Sequence, residues 1–304
     1  MMATAMATPS SAPRDTDRTA GLALGLVGVL LFSATLPATR IAVAELHPAL
    51  VGLGRAMVAA VVAGLVLAVT SQRWPTAGEW RRLGIVAGGV VIGFPLCSAI
   101  AMRSLPASHA AILIGLMPLA TTAAAAWLAH EQPSRGFWIV AGTGSALVVC
   151  YGLLHGGSLS PADLLLLVAV AAGGIGYAEG ARLASSLGGW QVISWALVLA
   201  APFLIPPILW IVVRTGVEAS ASAWLAFAYV SLISQYLGFF AWYRGLVLGG
   251  IARVSQLQLL QPFFTIVFAV WIAGEELDSM TVAFAVGVVV CVAAGRHMPV
   301  RRVE

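Results

Sequence analysis

Three polar residues, Gln258, Gln261 and Thr265, follow one another at i, i+3 and i+7 inside an otherwise apolar run. On a helix this spacing sets them on one face. Ser231, Ser234, Gln235 and Gly238 form a second stripe at i, i+3, i+4 and i+7. Carboxamides and hydroxyls so placed could hydrogen-bond the amine and carboxyl groups of a polar metabolite. They could equally serve as glue between helices, at about 0.6 kcal/mol per bond in a membrane. Arg55 stands among apolar neighbours, where a guanidinium either receives a carboxylate or reaches outward to water and carbonyls. Tyr177 lies between Gly173, Gly174 and Gly176 on one side and Gly180 on the other. Such small residues let a second backbone approach closely, or loosen the helix and open space beside the tyrosine. Trp195 can stack on a bound molecule or pack. The substrate-binding candidates are therefore Gln258, Gln261, Gln235, Ser234, Tyr177, Trp195 and Arg55. Glu179 and Arg182, three apart, can pair with each other.

Catalytic and metal-binding patterns are missing. All sixteen basic residues are Arg, so neither a Schiff-base lysine nor a phosphate-binding P-loop lysine exists. His130-Glu131 begins like a zinc motif, but no second His follows at the required spacing. Gly142-Thr143-Gly144-Ser145 does not have the spacing of a nucleophile elbow. Cys97, Cys150 and Cys291 sit singly in apolar runs, without metal or disulfide spacing. The expectation is no enzyme, no cofactor and no metal, with a membrane-embedded enzyme as the alternative. The formal charge of +4 is spread over loops and does not suggest nucleic-acid binding.

The elements that must position these residues follow from composition. Hydrophobic residues make up 60% of the chain and charged residues 9%, and the mean hydropathy is +0.96. A soluble domain carries about 25% charged residues, so the solvent here is largely lipid. In hydrocarbon every backbone N–H and C=O must be paired internally, which leaves helices or closed barrels. Runs such as Leu22–Leu31 and Val282–Ala294 are continuous rather than alternating, which excludes a barrel. The predicted class is an all-α integral membrane protein of ten transmembrane helices. They fall at about 20–39, 48–70, 82–102, 107–129, 137–154, 161–183, 190–213, 221–243, 252–273 and 279–295, each close to the ~20 residues a bilayer needs. Trp74, Trp80, Trp127, Trp138, Trp210, Trp224, Trp242 and Trp271 fall near helix ends, as an interfacial belt would.

With the N-terminus in the cytoplasm, the inner segments hold twelve arginines and the outer loops only Arg40, Arg103 and Arg214. This positive-inside bias sets both termini in the cytoplasm of a cell whose inner membrane the protein spans. Residues 1–18 read as a disordered cytoplasmic tail and 297–304 as a second tail. Pro37, Pro95, Pro118 and Pro262 fall inside predicted helices, where each would remove a backbone bond and bend the helix, making them candidate hinges.

The chain also repeats itself. Segment 110–131 aligns without gaps on 254–275, a shift of 144, with eight identities that include Pro118/Pro262, Trp127/Trp271 and Glu131/Glu275. Chance would give roughly two in so biased a composition. Residues 19–156 and 157–296 are then two five-helix repeats. An odd number of spans inverts the second repeat in the membrane, an arrangement typical of secondary transporters with a substrate site near the midplane.

The repeat segments carry a resemblance. The stretch FSATLPATRIAVAELHPALVGLGR, the stretch AMRSLPASHAAILIGLMPLATTAAAAWLAHE and its partner YRGLVLGGIARVSQLQLLQPFFTIVFAVWIAGEE resemble the EamA-domain family of the drug/metabolite transporter superfamily. The likeness covers roughly residues 20–295. It departs at Phe32, where the family often has Trp. It implies a carrier that exports a small metabolite by alternating access, an amino acid first, with other metabolites or drugs as the alternative. The partners implied are a small-molecule substrate and the lipid bilayer, and a homodimer stays open.

Overall fold

The computed structural model describes residues 15–128, 131–156, 159–249, 254–295 and 300–302. Most of the two expected tails lies outside these, except that 15–18 are helical and Val300–Arg302 form a short strand antiparallel to Glu131–Pro133. The chain is otherwise helical: α1 (Thr19–Glu45), α2 (Pro48–Val69), α3 (Ala77–Ala101), α4 (Ala107–Leu128), α5 (Arg135–Gly156), α6 (Pro161–Leu187), α7 (Gly189–Thr215), α8 (Ala221–Gly249), α9 (Gln261–Ala273) and α10 (Ser279–Gly295). Among the described residues seven of these, α1 to α4 and α6 to α8, are long and apolar enough to cross a membrane. Shorter apolar stretches lie in α5, α9 and α10.

Local chemistry fixes several ends. α3 starts five residues earlier than expected because Thr76 and Glu79 form a capping box, each side chain satisfying the other's backbone N–H. Ser160 and Asp163 do the same for α6, with Pro161 in the first turn. α1 runs on to Glu45, and Arg40, expected in an outer loop, donates from that helix to the Met102 carbonyl at 2.7 Å. Trp242, expected in the interfacial belt, is buried (2% exposed) because α8 continues past it to Gly249.

Five helices are interrupted. α1 turns at Ala34, α4 breaks at Gly115–Leu116, and a 3-10 segment Ser255–Leu260 leads into α9. α3 widens to a π-helix over Ala87–Gly93, and α8 does so over Tyr229–Leu237. Pro95 and Pro262 occupy the first turn of the α-helix that resumes after an interruption. Pro118 is the second residue after the α4 break, and Pro37 follows the Ala34 turn. Each of these prolines thus stands beside an interruption, and at Pro95 and Pro262, where the preceding turn is itself helical, the missing N–H leaves a carbonyl of that turn without its helical bond. Two pairs of these interruptions obey the repeat: residues 87–93 shifted by 144 become 231–237, within the π segment of α8, and 115–116 become 259–260, in the 3-10 segment before α9; the turn at Ala34 has no counterpart, because α6 runs unbroken.

Packing follows the same rule. α1 lies against α8 and α3 against α6; α4 packs on α6 and α9 on α1. α2 pairs with α7, α4 with α9 and α5 with α10. Exchanging the halves carries each of these pairs onto another or onto itself. Two apolar clusters fill the interior, one around Leu50, Met102 and Ile112, the other around Leu83, Ile193 and Leu197. Tyr177 packs against both, so their seam is where the polar stripes must meet.

Candidate functional site

At that seam lies a cavity whose polar lining is Thr35, Arg55, Tyr177, Ser234, Gln235 and Gln261. Phe32, Leu36, Phe94, Ile114 and Phe239 are among its apolar walls. Arg55 lies eight residues into α2 and is 3% exposed. Its Nη2 donates to the Ser234 hydroxyl at 2.8 Å, and that oxygen lies 2.7 Å from the Thr35 hydroxyl. One chain of hydrogen bonds thus joins α2, α8 and the second half of α1. Arg55 Nε and Nη1 have no partner among the described residues. An unpaired N–H buried in low dielectric is costly, so the site is polar and incompletely satisfied.

The π segments meet here. Gln235 Nε2, on the π turn of α8, donates to the Val90 carbonyl on the π turn of α3 at 3.1 Å. Beside the Ala34 turn, the Tyr229 hydroxyl donates to the Leu31 carbonyl at 2.8 Å. The Phe32 and Phe239 rings meet edge-on with centroids 5.0 Å apart, and Tyr177 stands 5.9 Å from Phe239 and 6.4 Å from both Phe32 and Trp242. Phe32, Tyr177 and Phe239 of this group line the cavity and give it an aromatic wall.

Close backbone approach builds the α6 side. A Cβ on Gly176 would lie 3.0 Å from the Val90 nitrogen, and one on Gly89 would lie 2.5 Å from the Ala172 carbonyl oxygen. Gly174 faces Ala120 and Thr121 of α4, and Gly180 faces the Tyr243 hydroxyl. The glycine stripe is thus a packing surface that lets α3, α4 and α8 close on α6. Two residues beyond Tyr177, Glu179 is 2% exposed and pairs with Arg82 Nε and, at 3.2 Å, with Arg182 Nη1. Arg182 also donates to the Leu128 carbonyl at 3.3 Å. The sequence offered only Arg182 as a partner; Arg82 arrives from α3 through the fold.

Of the expected site residues, Arg55, Tyr177, Ser234, Gln235 and Gln261 come together. Gln258, on the 3-10 segment, is buried, its Nε2 has no partner among the described residues, and it does not line the cavity. Trp195 sits in a separate ring cluster, 5.2 Å from Trp74 and 5.6 Å from Trp80. Thr35 and Phe32 were not anticipated. The run Ser33-Ala34-Thr35, small and polar within an apolar stretch, was a signal for them. No three His, Cys, Asp or Glu side chains cluster as a metal site would need, among the described residues.

Two helical repeats of one pattern around a shared polar cavity are the plan of a membrane carrier, and comparison with known proteins agrees. The model of the EamA-like transporter family matches residues 19–153 and again 160–294, so the chain belongs to that family. It is 45% identical over 274 residues, 90% of this chain and 96% of the other, to "Uncharacterized transporter YdeK" of Bacillus subtilis (strain 168). It also shares its fold with a protein of known crystal structure, at 22% identity and a TM-score of 0.60, over 92% of this chain and 97% of that one.

Proposed function

We propose that the protein is a secondary carrier that moves a small carboxylate-bearing metabolite through the cavity between its repeats by alternating access. The α-amino acids are the members of that class that the family resemblance implies, and export is the direction. The observation that carries this reading is the buried polar group of Arg55, Ser234, Thr35 and Gln235 at the seam of the two repeats. In this reading all ten helices cross an inner membrane, the second five inverted relative to the first, and both termini are cytoplasmic. The twofold exchange in helix packing and the matched interruptions support the inversion. The interrupted helices would give each repeat places to bend while the rest moves as rigid pieces.

The test is counterflow of radiolabelled amino acids in proteoliposomes, with and without an imposed proton gradient. Saturable exchange lost in Ser234→Ala and Gln235→Ala is the expected result. Flux that does not saturate, or that both variants leave unchanged, overturns the assignment of carrier or of site respectively.

A further inference from the structure

The described part of the molecule buries three charged side chains to nine-tenths or more: Arg55, Asp163 and Glu179. Two of them are balanced. Asp163 Oδ1 meets His109 Nε2 at 2.7 Å, and Glu179 meets Arg82 and Arg182. Arg55 is not. Among the described residues its one side-chain hydrogen bond is to the Ser234 hydroxyl, and neither Asp nor Glu lines the cavity. A guanidinium carries five N–H donors, and those on Nε and Nη1 have no partner.

We infer that the cargo is an organic monocarboxylate of net negative charge with an apolar body and no ammonium group. This rests on the carrier reading of the cavity and replaces the amino acids that the family resemblance implies with carboxylates that lack the ammonium. A buried cation without a counter-ion is strongly disfavoured, so the occupant that stabilises this site most brings one negative charge. A carboxylate matches the guanidinium in shape as well as in sign, because its two oxygens accept two parallel N–H bonds. A zwitterion leaves the cavity with the same net charge it had when empty. Its ammonium also enters a space that holds Arg55 and offers it no carboxylate. A simple amine adds a second positive charge with nothing to offset it. Phe32, Phe94, Ile114 and Phe239 supply the surface for a branched or cyclic hydrocarbon body.

Three probes on one skeleton separate these cases: 4-methyl-2-oxopentanoate (anion), leucine (zwitterion) and isoamylamine (cation). Binding is read by tryptophan fluorescence of the whole protein in lipid nanodiscs, and transport by counterflow in proteoliposomes. The oxo acid is expected to bind about 100-fold tighter than leucine, the effect of two like charges about 6 Å apart at an effective dielectric constant of about 20. The amine should not bind. Arg55→Gln should bring oxo acid and leucine to within about threefold of each other, the expected loss of the charge preference. If that variant does not fold, the wild-type ratio decides alone. Leucine binding as tightly as the oxo acid, or no binding of the oxo acid, overturns the inference. Saturable leucine counterflow without oxo-acid preference does so while leaving the carrier reading intact. Preferential oxo-acid binding with no counterflow of any probe does the reverse.

Discussion

Replacing Glu179 by Gln keeps the side chain's volume and one acceptor oxygen while removing its charge, so the variant isolates what the charge contributes. Two unit charges about 4 Å apart attract by about 4 kcal/mol at an effective dielectric constant of about 20. Glu179 has two such partners, but both arginines stay partly in solvent, Arg82 at 35% and Arg182 at 43% side-chain exposure. Each can turn to water once the carboxylate is gone, and screening of exposed charges reduces the loss to about 2 kcal/mol. Reversible unfolding in mixed micelles, titrated with SDS, gives the apparent free energies of wild type, E179Q, R82Q and the double variant. The expected coupling between positions 82 and 179 is about 1 to 2 kcal/mol, within the range for residues in direct contact. A coupling below about 0.5 kcal/mol, the scatter for independent sites, would refute the claim that this contact ties α3 to α6.

Gly176→Ala should lower stability by about 1 to 3 kcal/mol, since its Cβ meets backbone atoms of Gly89 and Val90 that cannot move aside cheaply. Gly84→Ala, whose Cβ meets nothing within 4 Å, should be neutral or stabilising in the same unfolding assay. Glu275 accepts from the Ala107 and Ser108 backbone N–H groups at 2.6 and 2.9 Å and so caps α4 from the end of α9. Glu275→Ala should cost about 1 kcal/mol, and an unchanged unfolding midpoint would argue against the cap. Pro118→Ala and Pro262→Ala should slow transport while leaving binding affinity within about twofold, if the interruptions act as hinges. Unchanged transport rates in both variants would dispose of that role.

The all-helical membrane fold and its two repeats were legible because they rest on composition and on a fixed shift in register, both properties of the chain alone. The stripe of Ser234 and Gln235 was legible for the same reason: helical spacing set these residues on one face, and the fold kept them there. Gln258 and Trp195 show where spacing runs out. Gln258 and Gln261 share a face on an α-helix and on the 3-10 segment Ser255–Leu260 alike, yet only Gln261 lines the cavity: spacing gives the face and not the depth along it. Trp195 depended on what surrounds it: Trp74 from the loop before α3 and Trp80 from the first turn of α3. Thr35 depended on a turn at Ala34 that only the small polar run Ser33-Ala34-Thr35 signals within an apolar stretch. Arg82 pairs with Glu179 across 97 residues, a separation at which no local pattern speaks.

The π segments of α3 and α8 record a sequence of events as well as a geometry. A π turn is an α-helix that accommodates one residue more than its ladder wants, and it is rare in proteins at large. Two independent insertions at equivalent sites are far less economical than one insertion that was copied. The matched π turns are what one five-helix unit, doubled with the surplus residue already in place, would leave behind. The two copies differ in what that turn displays: Val90 and Val91 in one copy stand where the other has Ser234 and Gln235.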